Sequence, residues 1–388
     1  MGERLTDAGL RRFDEVAASH VSDRTVPGLV ALVARGEQVH ATALGSLTVG
    51  GPPVRRDSLF RIASTTKPIT GAATMALVHE GRLSLDEPIE RLLPEMADRR
   101  VLRRIDGPLD DTVPAQRAIT VRELLTFTFG FGMVMEMFTS PEPWPIVRAA
   151  NELHLATLGP PQPDEPPAPD AWIAALGSLP LMAQPGEQWM YNTGAQVLGV
   201  LLSRAAGMPI AEVLRTRIFA PLGMTDTAFY AEDGSRLATS YVPTPDGLVL
   251  WDAPDGQWSH APAFADCAAG LVSTADDLLA FSRMLLRRGA PVLPAEAVGE
   301  MTRDQLTAGQ KASVAGILEG RSWGFCQSVV TEGAWAGAYG WDGGLGTSWI
   351  ADPARDLTVI VLTQRMFESP QAPAVHVELQ AAALAALG

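Results

Sequence analysis

The spacing of apolar positions changes twice within the first 80 residues and predicts one helix, two strands and a second helix. Near the N-terminus, apolar residues recur at helical spacing, at Leu5, Leu10, Phe13 and Val16. This spacing predicts an amphipathic helix. Residues 27–35 and 38–45 predict two antiparallel strands that turn at Arg35-Gly36-Glu37. A largely apolar helix is predicted from Ser64 to about Glu80, where Gly81 ends it.

The sequence of residues 82 to about 230 predicts mostly helices and loops. Three segments predict helices: ITVRELLTF, which begins at Thr120, AWIAALGSL, and NTGAQVLGVLLSRAAG, which ends at Gly207. The proline-rich residues 159–169 exclude regular helix or strand. They could form a linker, but similar helices flank them, so we favour a long surface loop at the rim of the functional site.

Strand patterns return after about residue 237. They are GLVLW at 247–251, AWAGAYGWDGG, GTSWIADP and LTVIVLTQR, and residues 352–356 predict a hairpin turn between the last two. An alanine- and leucine-rich segment then predicts a final helix. This order predicts an α/β body of residues 1–63 and 237–388, interrupted by a mostly helical domain of residues 64–236.

Composition and charge limit the kinds of molecule that the protein is expected to bind. The 388 residues carry a formal net charge of −14, so a nucleic-acid partner is not expected and solubility is the simpler reason for the charge. No apolar run approaches the roughly 18 residues that cross a bilayer, so no membrane partner is predicted. The N-terminus lacks the apolar region of a signal peptide, which favours a cytoplasmic location. The two cysteines, Cys267 and Cys326, predict buried thiols rather than a disulfide scaffold.

The first motif whose residues could carry out catalysis is Ser64-x-x-Lys67. On a helix these two side chains share a face, so the amine can accept the proton that makes the serine hydroxyl a nucleophile. This requires a lysine that is partly neutral near pH 7. At a helix start, the Ser64 N–H can also stabilise an oxyanion. The alternative is that Ser64 only caps the helix.

The second motif is Tyr191-Asn192, which lies between a turn and an apolar helix. A phenol beside a lysine ammonium can be drawn toward phenolate and can pass a proton to a leaving group. Asn192 can orient the lysine or bind a substrate carbonyl. Alternatively, Tyr191 packs in the core and Asn192 or Thr193 caps the helix.

The third motif is the glycine-rich segment 339–346, YGWDGGLG. Glycine allows close approach of a ligand to the backbone, so the Gly344 N–H can complete an oxyanion hole with that of Ser64. Trp341 either lines an acyl pocket or packs. The alternative for the whole segment is a bulged or edge strand.

Other catalytic classes lack their signatures. The six histidines are scattered without a close pair or HExxH, so no metal site is predicted. The sequence contains no G-x-S-x-G nucleophile elbow, phosphate-binding loop or dinucleotide-binding fingerprint. We therefore expect no cofactor.

In this order along the chain, the three motifs resemble the serine β-lactamase and penicillin-binding-protein superfamily. The similarity is greatest to its class C β-lactamase-like branch, which includes the family VIII carboxylesterases. It extends over nearly the whole chain and rests on residues 60–67, 119–126, 184–194, 221–226 and 270–278. The resemblance implies a β-lactamase/transpeptidase-like fold of the α/β plus α class, with an antiparallel sheet flanked by helices and an inserted all-helical domain.

The resemblance also implies roles for the matched residues. Ser64 would be acylated, Lys67 would help to deprotonate it, and Tyr191 would act as general acid and base. Asn192 matches the family's Tyr-x-Asn motif imperfectly, because it directly follows the tyrosine and Thr193 stands in the asparagine's place.

Two departures from the family pattern bear on the substrate. Trp341-Asp342-Gly343 stands where β-lactamases and D,D-peptidases carry Lys-Thr-Gly, so this chain lacks a charge-assisted hydrogen bond to a substrate carboxylate, worth roughly 1.5–3 kcal/mol. Phe127 replaces the histidine of a His-Thr-Ser-Gly motif, which fits an apolar substrate pocket or packing in the core. We expect five residues to contact substrate: Asn192, Trp341, Asp342, Gly343 and Phe127.

These inferences favour a carboxylesterase that acts on small uncharged esters through an acyl-enzyme on Ser64. The alternatives are a β-lactamase or D-amino-acid peptidase or amidase, an acyltransferase to an alcohol or amine, and a non-catalytic binding module. The expected partner is a small-molecule ester or amide. The sequence predicts no particular oligomeric state.

Overall fold

The computed structural model describes residues 4–314 and 317–388. Its strands, in chain order, are β1 (Gly28–Arg35), β2 (Gln38–Gly45), β3 (Phe60–Arg61), β4 (Arg100–Leu102), β5 (Thr112–Pro114), β6 (Ser240–Thr244), β7 (Gly247–Asp252), β8 (Val272–Ser273), β9 (Arg321–Trp323), β10 (Ser328–Val330), β11 (Tyr339–Gly343), β12 (Thr347–Asp352) and β13 (Leu357–Thr363). The main sheet has the order β2-β1-β13-β12-β11-β10-β9, and each neighbouring pair in it is antiparallel.

Helices cover both faces of this sheet, and most of the regular structure between β3 and β6 is helical apart from the short pair β4–β5. In chain order they are α1 (Asp7–Ser22), α2 (Thr66–His79), α3 (Val121–Leu125), α4 (Glu136–Thr139), α5 (Pro145–Glu152), α6 (Pro169–Ser178), α7 (Thr193–Ala206), α8 (Ile210–Leu214), α9 (Ala220–Leu222), α10 (Ala275–Leu286), α11 (Ala295–Met301), α12 (Ala308–Ala312) and α13 (Ala374–Ala385). The sheet flanked by helices confirms the predicted fold class.

The N-terminal hairpin joins the last strands of the chain in one sheet. β1 lies between β2 and β13, with Leu29 opposite Thr363 and Arg35 opposite Leu357. Every residue of β1 except Arg35 is buried, because helices cover both faces of this central strand.

Alternation along β1 divides the apolar side chains between two layers. Val30 and Leu32 belong to the large core that contains residues of α2 and α10. Leu29, Ala31 and Val33 point the other way and pack with residues of α1 and α13. The two-residue period of a strand thus supplies apolar surface to both helical layers.

Most of the predicted elements are confirmed. Both N-terminal strands occur, α3 begins after a capping box of Thr120 and Glu123, and α7 ends at left-handed Gly207. The helix predicted from Ser64 begins at Thr66 instead, after a 3-10 turn at Ala63–Thr65. The division into a discontinuous body and a helical domain stays a prediction.

The lengths of the helices bear on membrane insertion. Among the described residues, no single helix is both long and apolar enough to cross a membrane. α7 and the segment Ile210–Leu222 are long and apolar enough only when taken together, and they are bent by 80° relative to each other.

Candidate active site

Ser64 lies in the 3-10 turn that leads into α2, directly against the main sheet. Thr347 on β12 donates its hydroxyl to the Ile62 carbonyl at 2.9 Å, and the Thr65 and Thr347 hydroxyls are 3.2 Å apart. Ala63, which precedes the serine, has φ of 43°, a left-handed conformation that is uncommon for a residue with a side chain. These contacts hold Ser64 at the surface of a cavity.

Lys67 lies below Ser64 and is 0% exposed. Its ammonium donates to Ser64 Oγ at 2.9 Å and to the Ala268 carbonyl at 2.8 Å. Burial lowers the pKa of Lys67 from 10.5 to about 7, against an opposing effect of Asp266. A large fraction of this amine is therefore neutral at neutral pH, which the serine motif requires.

Asp266 was not anticipated from the sequence. It is buried, its Oδ1 accepts the Ala268 N–H at 2.7 Å, and its Oδ2 accepts from Gln196 Nε2 at 3.2 Å. Burial raises the pKa of Asp266, and Lys67 lowers it. The carboxylate thus fixes the turn whose carbonyl, at Ala268, holds the Lys67 amine. Its only signal in the sequence is one acidic residue in the apolar run AFADCAAGLV.

Tyr191 completes the group around Ser64. Its backbone forms two hydrogen bonds with Met133, both 2.9 Å long, and the Lys67 ammonium lies 4.5 Å from its ring centre. Burial raises the pKa of Tyr191, while hydrogen bonds with Ser64 and Trp341 lower it. Because burial dominates, the phenol stays protonated at neutral pH, contrary to the expected shift toward phenolate.

Trp341 contacts Tyr191 directly. The indole Nε1 donates to the Tyr191 hydroxyl oxygen at 2.6 Å. Trp323 packs edge-on against Trp341, with ring centres 4.8 Å apart, and also contacts the Tyr191 ring. The indole that replaces the family's lysine therefore both lines the cavity and polarises the phenol.

The glycines that follow Trp341 have separate roles. A Cβ on Gly343 would lie 2.2 Å from the Ile62 carbonyl oxygen, so only glycine lets β11 approach the Ser64 turn this closely. Gly344 lines the cavity beside Ser64. Within residues 4–314 and 317–388, its N–H donates to no backbone carbonyl. This donor is available to an oxyanion, whereas Gly343 lies outside the cavity lining.

Asn192 and Thr193 both contact Thr157, and among the described residues neither is a hydrogen-bond partner of Lys67. Asn192 has φ of 85° and donates from Nδ2 to the Thr157 carbonyl at 3.0 Å. The Thr193 and Thr157 hydroxyls are 2.6 Å apart. Neither residue orients the lysine here, and the Asn192 side chain does not cap α7. Asn192 does line part of the cavity.

Phe127 lies in the core. It is 0% exposed, and its ring packs against those of Trp189, Tyr191 and Trp323 at centre distances of 6.3, 6.0 and 5.0 Å. The structure places it behind Tyr191 and away from the cavity surface, so of the two interpretations of this position packing is the one observed. Asp342, in contrast, lines the cavity together with Trp341.

Comparisons with known proteins establish the family of this chain. A profile of the beta-lactamase family matches residues 13–383. Protein Rv1367c of Mycobacterium tuberculosis is 40% identical over 332 residues, which cover 81% of this chain and 79% of that protein. Esterase EstB of Burkholderia gladioli is 31% identical over 390 residues, which cover 93% and 92%.

A solved structure shares the fold of this chain. EstCE1, a hydrolase with promiscuous acyltransferase activity, has a TM-score of 0.83 and 25% identity, with 97% of this chain and 99% of that chain covered. The predicted relationship is thereby confirmed. The chain belongs to the beta-lactamase family and is a serine hydrolase.

Proposed function

We propose that the protein is a carboxylesterase that forms an acyl-enzyme on Ser64 and acts on small uncharged esters. The observation that carries this proposal is the 2.9 Å contact between Ser64 Oγ and a fully buried Lys67 whose pKa is about 7. A buried amine of that pKa can accept the serine proton at neutral pH.

The geometry supports a two-step reaction. Neutral Lys67 takes the Ser64 proton as Oγ attacks the ester carbonyl, and the N–H groups of Ser64 and Gly344 stabilise the oxyanion. When the bond to the alcohol oxygen breaks, Tyr191 donates its proton to that oxygen and regains one from Lys67. Water then attacks the acyl-enzyme by the reverse proton route, which releases the acid and regenerates Ser64.

The charges around the cavity support an uncharged substrate. β11 presents an indole and a carboxylate, from Trp341 and Asp342, where a carboxylate-binding lysine would stand in a β-lactamase. Arg321 also lines the cavity, but Glu319 and Asp342 line it too, so the lining offers no net positive field. A substrate carboxylate would gain little there.

The reaction class is tested by comparing p-nitrophenyl acetate with nitrocefin on the purified protein. We expect kcat/KM for the ester to exceed that for the β-lactam by about 10- to 150-fold, since a lysine–carboxylate hydrogen bond, which this chain cannot form at position 341, is worth about 1.5–3 kcal/mol. Comparable rates would instead establish a β-lactamase. A product formed faster with an added alcohol than by hydrolysis would establish an acyltransferase, an activity that EstCE1 also has.

Failure of an active-site phosphonate to label the protein would favour a binding module.

A cytoplasmic location is also part of the proposal.

We predict that Trp341→Phe weakens the proton donor without removing it. Loss of the indole donor raises the pKa of Tyr191, so proton delivery to the leaving oxygen becomes harder. A neutral hydrogen bond is worth about 0.5–1.5 kcal/mol, so kcat should fall about three- to tenfold for alkyl esters. For p-nitrophenyl esters, whose leaving group needs little protonation, kcat should fall less.

The control is Trp251→Phe, since Trp251 packs in a separate cluster around Trp258. Equal losses for alkyl and p-nitrophenyl esters in Trp341→Phe would show that the indole acts only by packing.

A further inference from the structure

Two cavities meet at Ser64. The larger has a volume of about 370 Å³ and the smaller about 220 Å³. Both are lined by the same central residues, which are Ser64, Met133, Tyr191, Gly344 and Phe367. An ester bound with its carbonyl carbon at Ser64 Oγ can therefore extend its two ends into different spaces.

The position of the Tyr191 hydroxyl distinguishes the two spaces. That hydroxyl accepts a hydrogen bond from Trp341 Nε1, and Trp341 lines the larger cavity but is not among the residues that line the smaller one. The alcohol oxygen of the substrate must lie near this hydroxyl to receive its proton. The alcohol part therefore belongs in the larger cavity, and the acyl chain in the smaller.

The proline-rich loop closes the smaller cavity. Gly159, Pro160 and Pro161 form one wall, with Leu345 and Met366 among the residues around them. Proline rings have fixed backbone φ and little freedom to move aside. This wall limits the length of a bound acyl chain, and it places the first three residues of the proline-rich segment, 159–161, at the site.

The polar groups of the smaller cavity are already hydrogen-bonded. Asn192 donates to Thr157, and the two oxygens of Asp266 accept from Ala268 and Gln196. No cation is among the described residues that line this cavity. A carboxylate on the acyl chain would have to share Lys67 with Asp266 and would gain no cation of its own, so a neutral chain is favoured.

The larger cavity has a different character. Met135 and Phe138 give it an apolar side, and Phe138 is 63% exposed. Glu319, Arg321 and Asp342 give it a charged side. A large alcohol with apolar and hydroxylated parts fits this combination better than a simple alkyl group does.

We propose that the substrates are esters of a short, neutral acyl group with a bulkier, amphipathic alcohol, and that the Pro160–Pro161 wall sets the acyl length. This proposal rests on the esterase function proposed above. It assigns acyl selectivity to residues 159–161 and alcohol selectivity to the side of Phe138.

Two substrate series test this assignment. One series varies the acyl chain of p-nitrophenyl esters from acetyl to decanoyl, and the other varies the alcohol of acetate esters. In a double variant, Pro160→Ala with Pro161→Ala, the acyl length that gives the highest kcat/KM should increase. The gain for chains just beyond the wild-type limit should be about tenfold, the discrimination that one methylene gives in an apolar pocket. The alcohol preference should not change.

Met366→Ala widens the same cavity without altering the loop, so it should shift the acyl preference in the same direction. Phe138→Ala is the reciprocal variant, and it should change the alcohol preference while the acyl profile stays as in the wild type. Thermal unfolding of each variant verifies that it is folded.

The possible outcomes separate this proposal from the esterase function. If the wild type hydrolyses no ester in either series, the proposed function itself is wrong. If the wild type is active but the loop variants and Met366→Ala change only the alcohol preference, or neither preference, the assignment of the cavities is wrong and the esterase function stands.

Discussion

Ser64→Ala will lose ester hydrolysis by about 10⁴-fold or more, because the substitution removes the hydroxyl oxygen on which the proposed acyl-enzyme forms. The surrounding geometry supports this role: Lys67 Nζ donates to Ser64 Oγ at 2.9 Å, Tyr191 is hydrogen-bonded to Ser64, and Gly344 lines the same cavity as Ser64. The measurement is intact-protein mass spectrometry after brief exposure to p-nitrophenyl esters and β-lactams. The wild type should gain the mass of one acyl group, and Ser64→Ala should gain none.

The matched control is Ser19→Ala, which removes an exposed serine on α1 and should leave both the rate and the adduct unchanged. An adduct that persists in Ser64→Ala would place the nucleophile elsewhere. The adduct masses obtained with the wild type also rank the acyl groups directly, independently of the leaving group.

Lys67→Met will abolish most of the activity and remove its dependence on pH near neutrality. In the proposed mechanism the base is the neutral amine of Lys67, and burial lowers the pKa of this amine to about 7. Below that pH the amine is protonated, so kcat/KM should fall tenfold per pH unit, and above it kcat/KM should reach a plateau. Loss of a general base costs about 10²–10⁴-fold, and the residual activity of the variant should lack this acidic limb.

The chain offers a direct measurement of that pKa. It contains two lysines, Lys67 and Lys311, so a protein with ¹³C-labelled lysine gives two side-chain signals to titrate by NMR. One should titrate near pH 7 and be absent from Lys67→Met. Lys311→Met, which removes the half-exposed partner of Asp304, should retain the activity and its acidic limb. If both signals titrate near the ordinary lysine pKa of about 10.4, Lys67 is not the base.

Local patterns were sufficient for the elements that carry the site. The Ser64-x-x-Lys67 spacing brings the two side chains together because α2 and its preceding turn keep them on one face. The sequence marks the end of α7 by Gly207, because glycine readily adopts the left-handed conformation that ends many helices. In the structure its φ is 67°. A similar local signal marks the start of α10, since Thr274 caps that helix by accepting from the Asp277 N–H.

Contacts between distant segments were beyond the reach of such patterns. Asp266 reaches the site only because the turn at residues 266–268 folds beneath Lys67, some 200 positions away in sequence. Asn192 faces Thr157 because its backbone has a left-handed φ of 85°, whereas its neighbour in sequence, Tyr191, lies beside Ser64. Phe127 packs among aromatic rings contributed by separate segments, and a family motif alone could not separate that role from substrate contact.

The place of β1 in the sheet has a consequence for biosynthesis. This almost entirely buried strand pairs on one side with β2, its neighbour in sequence, and on the other with β13. At ribosomal rates of about 5–20 residues per second, the first hairpin waits on the order of tens of seconds before residues 357–363 are made. During that interval β1 presents an apolar edge that invites pairing with other chains. Yield in a heterologous host should therefore depend on chaperones that shield nascent chains, and slowed translation should lower it.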